Sequence, residues 1–133
     1  MTNRVLIINN SPEILRAVCN LLSLEGYHVF EATYDQNLVI ELQRIQPQLV
    51  ILDYVPQFEV RLLELVDQLK TQGSIPIPTI VTTVRFDIPA TVKTHLKTQA
   101  FEVLIKPFGS GDLLKAVRAK LPTTTGANTC DVG

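Results

Sequence analysis

The chain has 133 residues, of which 46% are hydrophobic and 19% are charged, and its formal net charge at pH 7 is -1. This composition is typical of one globular domain, which buries roughly two thirds of the surface of its unfolded chain. The balanced charge disfavours nucleic acid as the main partner, because phosphate binding requires a clustered basic excess. No apolar run approaches the roughly 18 residues of a membrane span, and the apolar run after Arg4 is too short for a signal peptide, so we expect neither.

Apolar, β-rich runs alternate with helical patterns along most of the chain. The first run, Val5–Ile8, precedes Ser11 and Pro12, which are typical of the N-cap and first position of a helix, and Gly26 ends that helix. The other predicted strands are Tyr27–Ala32, Leu49–Leu52, Thr79–Thr83 and Phe101–Ile105. The other predicted helices are residues 35–46, a segment around 62–69, a weaker one near 88–98, and residues 112–121.

Five strands alternating with five helices predict an α/β fold in which a doubly wound parallel sheet is covered on both faces. Five strands favour the flavodoxin-like order 2-1-3-4-5 over the longer six-stranded arrangement. The domain is expected to span residues 1–121. Residues 122–133 contain few apolar side chains, and we expect a mobile tail or the start of a linker there.

Two cysteines are present, and they are far apart in the sequence. Cys19 lies in an apolar helical pattern, which predicts a buried free thiol, and Cys130 lies in the polar tail. Two isolated cysteines define neither a disulfide framework nor a metal site. The expected location is therefore a reducing compartment, the cytoplasm.

Polar residues follow the strands at the edge where ligands bind in such a sheet, beyond the carboxyl ends. They are Asn9 and Asn10 after the first strand, Asp53 after the third, Thr82 and Thr83 in the fourth, and Lys106 after the fifth. Each residue alone has an ordinary explanation as a turn former, a strand residue or a solvated side chain. Because parallel strands bring all of them to one edge, the sequence predicts a shared cleft.

This pattern resembles the receiver domain of two-component response regulators over residues 4–121. The resemblance depends on the segments VLIINNSPE, LVILDY, PTIVTTV and VLIKPF, which occur in the family's order and at its approximate spacing. It implies that Asp53 is the phosphoacceptor, that Thr83 contacts the phosphoryl group, and that Lys106 bonds the phosphorylated aspartate.

The chain also departs from the family pattern. Asn9 and Asn10 stand where the family has two acidic residues that hold magnesium together with the phosphoacceptor and a backbone carbonyl, which here is that of Val55. Magnesium prefers carboxylate oxygen, so binding is expected to be weak or absent. Val103 replaces the switch aromatic, and the loop YVPQFEV has its proline one position early and lacks the usual glycine.

These departures favour a degenerate, pseudo-receiver module that is not an enzyme and acts by protein–protein contact, with impaired phosphorylation. A histidine kinase or an output protein is the expected partner, and a homodimer is possible. The resemblance implies contact through helix 4, strand 5 and helix 5. The charged residues on that face are Lys93, Lys97, Glu102, Lys115 and Arg118.

Two alternatives remain open at this point. The first is an ordinary response regulator that a histidine kinase phosphorylates on Asp53. The second is a small flavin- or nucleotide-binding protein, which is disfavoured because NNSPE has no glycine and Pro12 lacks a backbone donor. A catalytic role for histidine is also disfavoured, because His28 is expected on an edge strand and His95 on helix 4, both at the surface.

Overall fold

The computed structural model describes residues 3–71, 77–83, 89–96, 101–106, 108–121 and 129–132. The strands are β1 (Arg4–Ile8), β2 (His28–Ala32), β3 (Leu49–Asp53), β4 (Thr79–Thr83), β5 (Phe101–Ile105) and β6 (Thr129–Val132). The helices are α1 (Pro12–Leu24), α2 (Leu38–Ile45), α3 (Glu59–Thr71), α4 (Ala90–Leu96) and α5 (Ser110–Lys120), and a 3-10 turn (Pro56–Phe58) leads into α3. In these ranges, no helix has the length and apolar character needed to cross a membrane.

All strands lie in one parallel sheet with the order β5-β4-β3-β1-β2-β6. The first five strands therefore have the predicted order 2-1-3-4-5, and the predicted flavodoxin-like fold with five helices is confirmed. Strand β6 extends the sheet beyond β2.

Two apolar layers cover the two faces of the sheet. Along β1, Val5 and Ile7 pack in the cluster with α1 and α5, whereas Leu6 and Ile8 pack in the cluster with α2, α3 and α4. This alternation follows from the two-residue period of a strand. It explains why β1 and β3 read as continuous apolar runs, since both faces are buried.

Local capping fixes where the first two helices begin. The Ser11 hydroxyl accepts a hydrogen bond from the Ile14 N–H at 3.4 Å, as the sequence predicts for an N-cap. Helix α2 begins at Leu38, later than the predicted residue 35, because the Asn37 side chain caps it by accepting from the Ile40 N–H at 3.2 Å.

The C-terminal segment departs from the expected mobile tail at residues 129–132. These residues form β6, which pairs with β2 so that Val29 lies opposite Cys130. A sheet edge presents unpaired backbone N–H and C=O groups that readily accept another strand. Because β2 now lies between β1 and β6, the expectation that His28 lies on an edge strand is wrong.

The expectation of a free thiol at Cys19 is also wrong. Cys19 is fully buried on α1 and is disulfide-bonded, and the chain contains one other cysteine, Cys130. Position 130 is paired with Val29, which packs in the α1 cluster, so the register places residue 130 on the face that α1 covers. Sequence spacing alone gave no sign of the disulfide at Cys19, because β6 was not expected to form.

Candidate functional site

Asp53 ends β3 in a buried position, with 8% of its surface exposed. Its Oδ1 lies 2.5 Å from Nζ of Lys106 and accepts a hydrogen bond from the Thr82 hydroxyl at 2.8 Å. The structure thus brings together the two predicted residues at the ends of β3 and β5. A buried carboxylate needs such a partner, because desolvation disfavours an isolated charge.

Thr82, rather than Thr83, is the threonine that contacts Asp53. Thr82 is the direct partner of Asp53 in the β3–β4 register, whereas Thr83 is the partner of Ile105. Successive strand residues point to opposite faces, so the two threonines are separated by the sheet. The two-residue period of β4 was the signal in the sequence that could have identified Thr82 as the threonine on the same face as Asp53. The role of Thr83 as a phosphoryl contact stays a prediction.

The two asparagines accept backbone hydrogen bonds in their own turns. Oδ1 of Asn9, a buried residue, accepts from the Ser11 N–H at 2.8 Å. Oδ1 of Asn10 accepts from the Tyr34 N–H at 2.8 Å, which ties the β1–α1 turn to the β2–α2 turn. Both side chains therefore have a structural role that an amide oxygen fulfils without charge.

Tyr34 is a residue of the site that the sequence analysis did not identify. Its side chain is 1% exposed, its hydroxyl donates to the Asp53 carbonyl oxygen at 2.6 Å, and its ring stacks on Phe58 with centroids 5.1 Å apart. Burial, followed by the negative charge of Asp53, raises the pKa of the Tyr34 hydroxyl, which stays protonated. Tyr34 was missed because a tyrosine after a strand has no signature of its own.

The loop after Asp53 folds into the 3-10 turn. Val55 precedes this turn in extended conformation, with φ -130° and ψ 124°. The neighbouring Tyr54 N–H donates to the Thr82 carbonyl at 2.7 Å, and its hydroxyl donates to Oε1 of Glu59 at 2.7 Å. The backbone after Asp53 is therefore fixed both to β4 and to the start of α3.

A valine stands at the position where the sequence resemblance predicts a switch aromatic. Val103, on β5, is partly buried and packs against the cluster with α2, α3 and α4. The Lys106 N–H donates to the Thr83 carbonyl at 2.7 Å, which sets the end of β5 beside β4. Pro107, which completes the predicted lysine–proline pair, lies outside the described residues.

The face formed by β5 and α5 has a groove of about 460 Å³, which includes Glu102, Val103 and Lys115 in its lining. Lys120 lies 4.0 Å from Glu102 across this face, and Arg118 pairs with Glu25 at the end of α1. Lys93 is exposed on α4, while Lys97 and the side chain of His95 lie outside the described residues.

Carboxylate, thiol and imidazole groups do not cluster in the described part of the chain. No group of three or more His, Cys, Asp or Glu residues is placed there to hold a metal ion. A narrow cavity of about 20 Å³ beside the site includes Asn9, Asp53, Thr82 and Lys106 in its lining. That volume is on the scale of one water molecule.

The fold and the site define an α/β domain of the receiver type, with a buried aspartate paired to a lysine at the carboxyl edge of the sheet. The sequence model of the response regulator receiver domain matches residues 5–118. The chain belongs to this family, whose members are signalling modules of two-component systems.

Relatives and solved structures agree with this assignment. The transcriptional regulatory protein KdpE of Mycobacterium tuberculosis (strain CDC 1551 / Oshkosh) is 31% identical over 124 residues, which are 92% of this chain and 53% of KdpE. The chain therefore spans about half the length of this curated relative.

Two solved structures show the same fold. The signal receiver domain of a putative LuxO repressor protein from Vibrio parahaemolyticus has a TM-score of 0.71 at 25% identity and covers 91% of both chains. A response regulator from Thermotoga maritima has a TM-score of 0.74 at 24% identity, over 92% of this chain and 100% of the other.

Proposed function

We propose that this receiver domain signals by protein–protein contact and that its magnesium-dependent phosphorylation at Asp53 is impaired. The observation that carries the proposal is the pair Asn9 and Asn10, whose side-chain oxygens each accept a backbone hydrogen bond. Of the three positions that are acidic in the family pattern, Asp53 is then the one that keeps a carboxylate, and the ammonium of Lys106 lies beside it. The proposal includes a cytoplasmic location, which depends on membership of the receiver family, because the disulfide at Cys19 removes the argument from free thiols.

The side chains at this edge do not fit a magnesium ion well. Magnesium is a hard ion that favours carboxylate oxygens and retains several of its waters. In the family pattern, three carboxylates and one lysine sum to a net charge of -2, which suits a divalent cation. In this chain, Asp53 and Lys106 sum to a net charge of zero.

The loss of two carboxylates is large on the energy scale of a modest metal site. A unit charge pair at about 4 Å is worth roughly 4 kcal/mol at an effective dielectric near 20. Desolvation offsets much of this, yet the remainder corresponds to orders of magnitude in affinity. Phosphoryl transfer depends on a cation to neutralise developing charge, so Asp53 is expected to be a slow acceptor.

A magnesium titration followed by NMR tests this proposal. We expect the amide signals of Tyr54 and Val55 to move little and without saturation at low-millimolar magnesium. The variant Asp53→Asn is the matched control for non-specific effects. Saturable shifts in the wild type that are lost in this control would show that the charge argument is wrong.

A second candidate is an ordinary response regulator phosphorylated on Asp53 by a histidine kinase. The observation that favours it is the placement of Lys106 beside Asp53, since a lysine in that position can neutralise charge on a phosphorylated aspartate. Under this alternative, incubation with a cognate kinase gives rapid phosphorylation, which the first proposal does not predict.

We propose the face formed by α4, β5 and α5 as the surface that meets a kinase, an output protein or a second copy of the chain. The groove of about 460 Å³ and the nearby charges of Glu102 and Lys115 support this choice. Charge reversal at Lys115, an exposed residue outside the Asp53 site, is expected to weaken partner binding while leaving the melting temperature unchanged.

A further inference from the structure

Two neutral hydroxyl groups bind Asp53, one at its side-chain carboxylate and one at its backbone carbonyl. The Thr82 hydroxyl donates to its carboxylate Oδ1 at 2.8 Å, and the Tyr34 hydroxyl donates to its backbone carbonyl at 2.6 Å. We propose that Thr82 and Tyr34 are positioning residues that present Oδ2 of Asp53 as the phosphoryl-accepting oxygen. The inference rests on the proposed role of Asp53 as a slow phosphoacceptor.

The two carboxylate oxygens of Asp53 have different surroundings. Oδ1 receives both the Lys106 ammonium and the Thr82 hydroxyl. Among the residues that the structure describes, Oδ2 has no hydrogen-bond or ion-pair partner. Donors on one oxygen fix the rotation of the carboxylate and leave the other oxygen with the freer electron pair.

The chemical step follows from this division. With acetyl phosphate as donor, an electron pair of Oδ2 forms the bond to phosphorus, and the bond from phosphorus to the acetate oxygen breaks as acetate leaves with its electron pair. Oδ1 then becomes the carbonyl oxygen of the acyl phosphate, where Thr82 and Lys106 remain as donors. The hydroxyl therefore acts through the orientation of Asp53, and orientation has a large effect on the rate of such a step.

Tyr34 fixes the backbone from the other face of the sheet. Its buried ring stacks on Phe58 in the 3-10 turn, and its N–H is bound by Asn10. The hydroxyl thus has little freedom to leave the Asp53 carbonyl. Asn10, at a position where the family has an acidic residue, contributes to this anchoring instead.

A set of threonine variants tests the role of Thr82. Thr82→Val removes the hydroxyl at nearly constant shape, and Thr82→Ser restores it. Thr79→Val is the matched control, because Thr79 lies at the opposite end of β4 and its hydroxyl donates to the Ile77 carbonyl at 3.2 Å. Each protein is incubated with acetyl phosphate and magnesium, and the initial rate is measured by intact mass.

We expect Thr82→Val to slow phosphorylation about tenfold, the scale of one hydrogen bond to a charged group. Thr82→Ser restores most of the rate, and Thr79→Val leaves it unchanged. Tyr34→Phe, which retains the ring, is expected to slow the reaction about threefold. A Thr82→Val rate equal to that of the wild type, or an equal loss in Thr82→Val and Thr82→Ser, overturns the proposal.

A second readout does not depend on phosphorylation. The carboxyl ¹³C signal of Asp53 is expected to shift in Thr82→Val and to return in Thr82→Ser. If the wild type gains no phosphoryl mass, the ¹³C signal becomes the deciding measurement. An Asp53 carboxyl signal that does not shift in Thr82→Val then overturns the proposal. Rapid wild-type phosphorylation contradicts the impaired-receiver proposal alone, and the comparison of Thr82→Val with Thr82→Ser still decides the role of Thr82.

Discussion

Nζ of Lys106 lies 2.5 Å from Oδ1 of Asp53, and the two side chains are only 22% and 10% exposed. This ion pair joins the carboxyl ends of β5 and β3. Its shielding from water makes it more than a surface salt bridge, because each charge depends on the other for compensation.

Lys106→Met is expected to destabilise the fold by about 3 kcal/mol, since it leaves the Asp53 carboxylate buried without a countercharge. Urea unfolding near neutral pH measures the free energy of unfolding. In the double variant Asp53→Asn with Lys106→Met, most of this loss should be recovered. A double variant as unstable as the sum of the two single variants would show that the two groups are not coupled.

The double change Asn9→Asp with Asn10→Asp is expected to create a magnesium site. Aspartate keeps the acceptor oxygens that bind the Ser11 and Tyr34 N–H groups, so the two turns should persist. Without metal, three carboxylates repel one another, and we expect a loss of about 1–3 kcal/mol.

Thermal melting in chelator and in magnesium checks this change. Added magnesium should recover the lost stability of the double variant by mass action and should leave the wild type unaffected. A variant that melts like the wild type in both conditions would indicate that the turn at Val55 does not present its carbonyl to the ion.

Reduction of the disulfide at Cys19 is expected to lower the melting temperature. Closing a loop of about 100 residues stabilises a fold by about 5 kcal/mol in the chain-entropy view. Melting with and without a reductant measures this, and Cys130→Ser, which removes the other cysteine, should match the reduced wild type. If this variant melts like the oxidised wild type, the β6 segment contributes no stability through a disulfide.

The Tyr34 hydroxyl should make stability depend on pH in the alkaline range. Its folded-state pKa lies above the ordinary value of 10.0, because burial and then the Asp53 charge disfavour the phenolate. Its contribution is fully present below pH 10 and is lost as the pH rises above the unfolded pKa.

The stability difference between the wild type and Tyr34→Phe should therefore be constant up to about pH 9.5 and shrink as the pH rises from about 10 to about 11. Urea midpoints across this range measure it. Tyr27 is present in both proteins, so its own raised pKa does not enter the difference. A constant difference would mean that the Tyr34 hydroxyl is not buried as described.

The sequence predicted the parts of the molecule that follow from local pattern. The sheet order follows from hydrophobic periodicity, the α1 cap from the Ser11–Pro12 pattern, and the meeting of Asp53 and Lys106 at one edge from the shared carboxyl edge of parallel strands. The formation of β6 could not be predicted, because it depends on which sheet edge a polar segment reaches. The contact of Tyr34 with Asp53 depends on how two turns meet in space, and neither feature leaves a periodic signal in the sequence.

The most direct test of an impaired receiver is intact-mass analysis after incubation with acetyl phosphate and magnesium, performed side by side on the wild type and on Asn9→Asp with Asn10→Asp. We expect the wild type to gain little phosphoryl mass and the double variant to gain it faster, with no gain when Asp53→Asn is added to either. Rapid and nearly complete phosphorylation of the wild type at Asp53 would contradict the account.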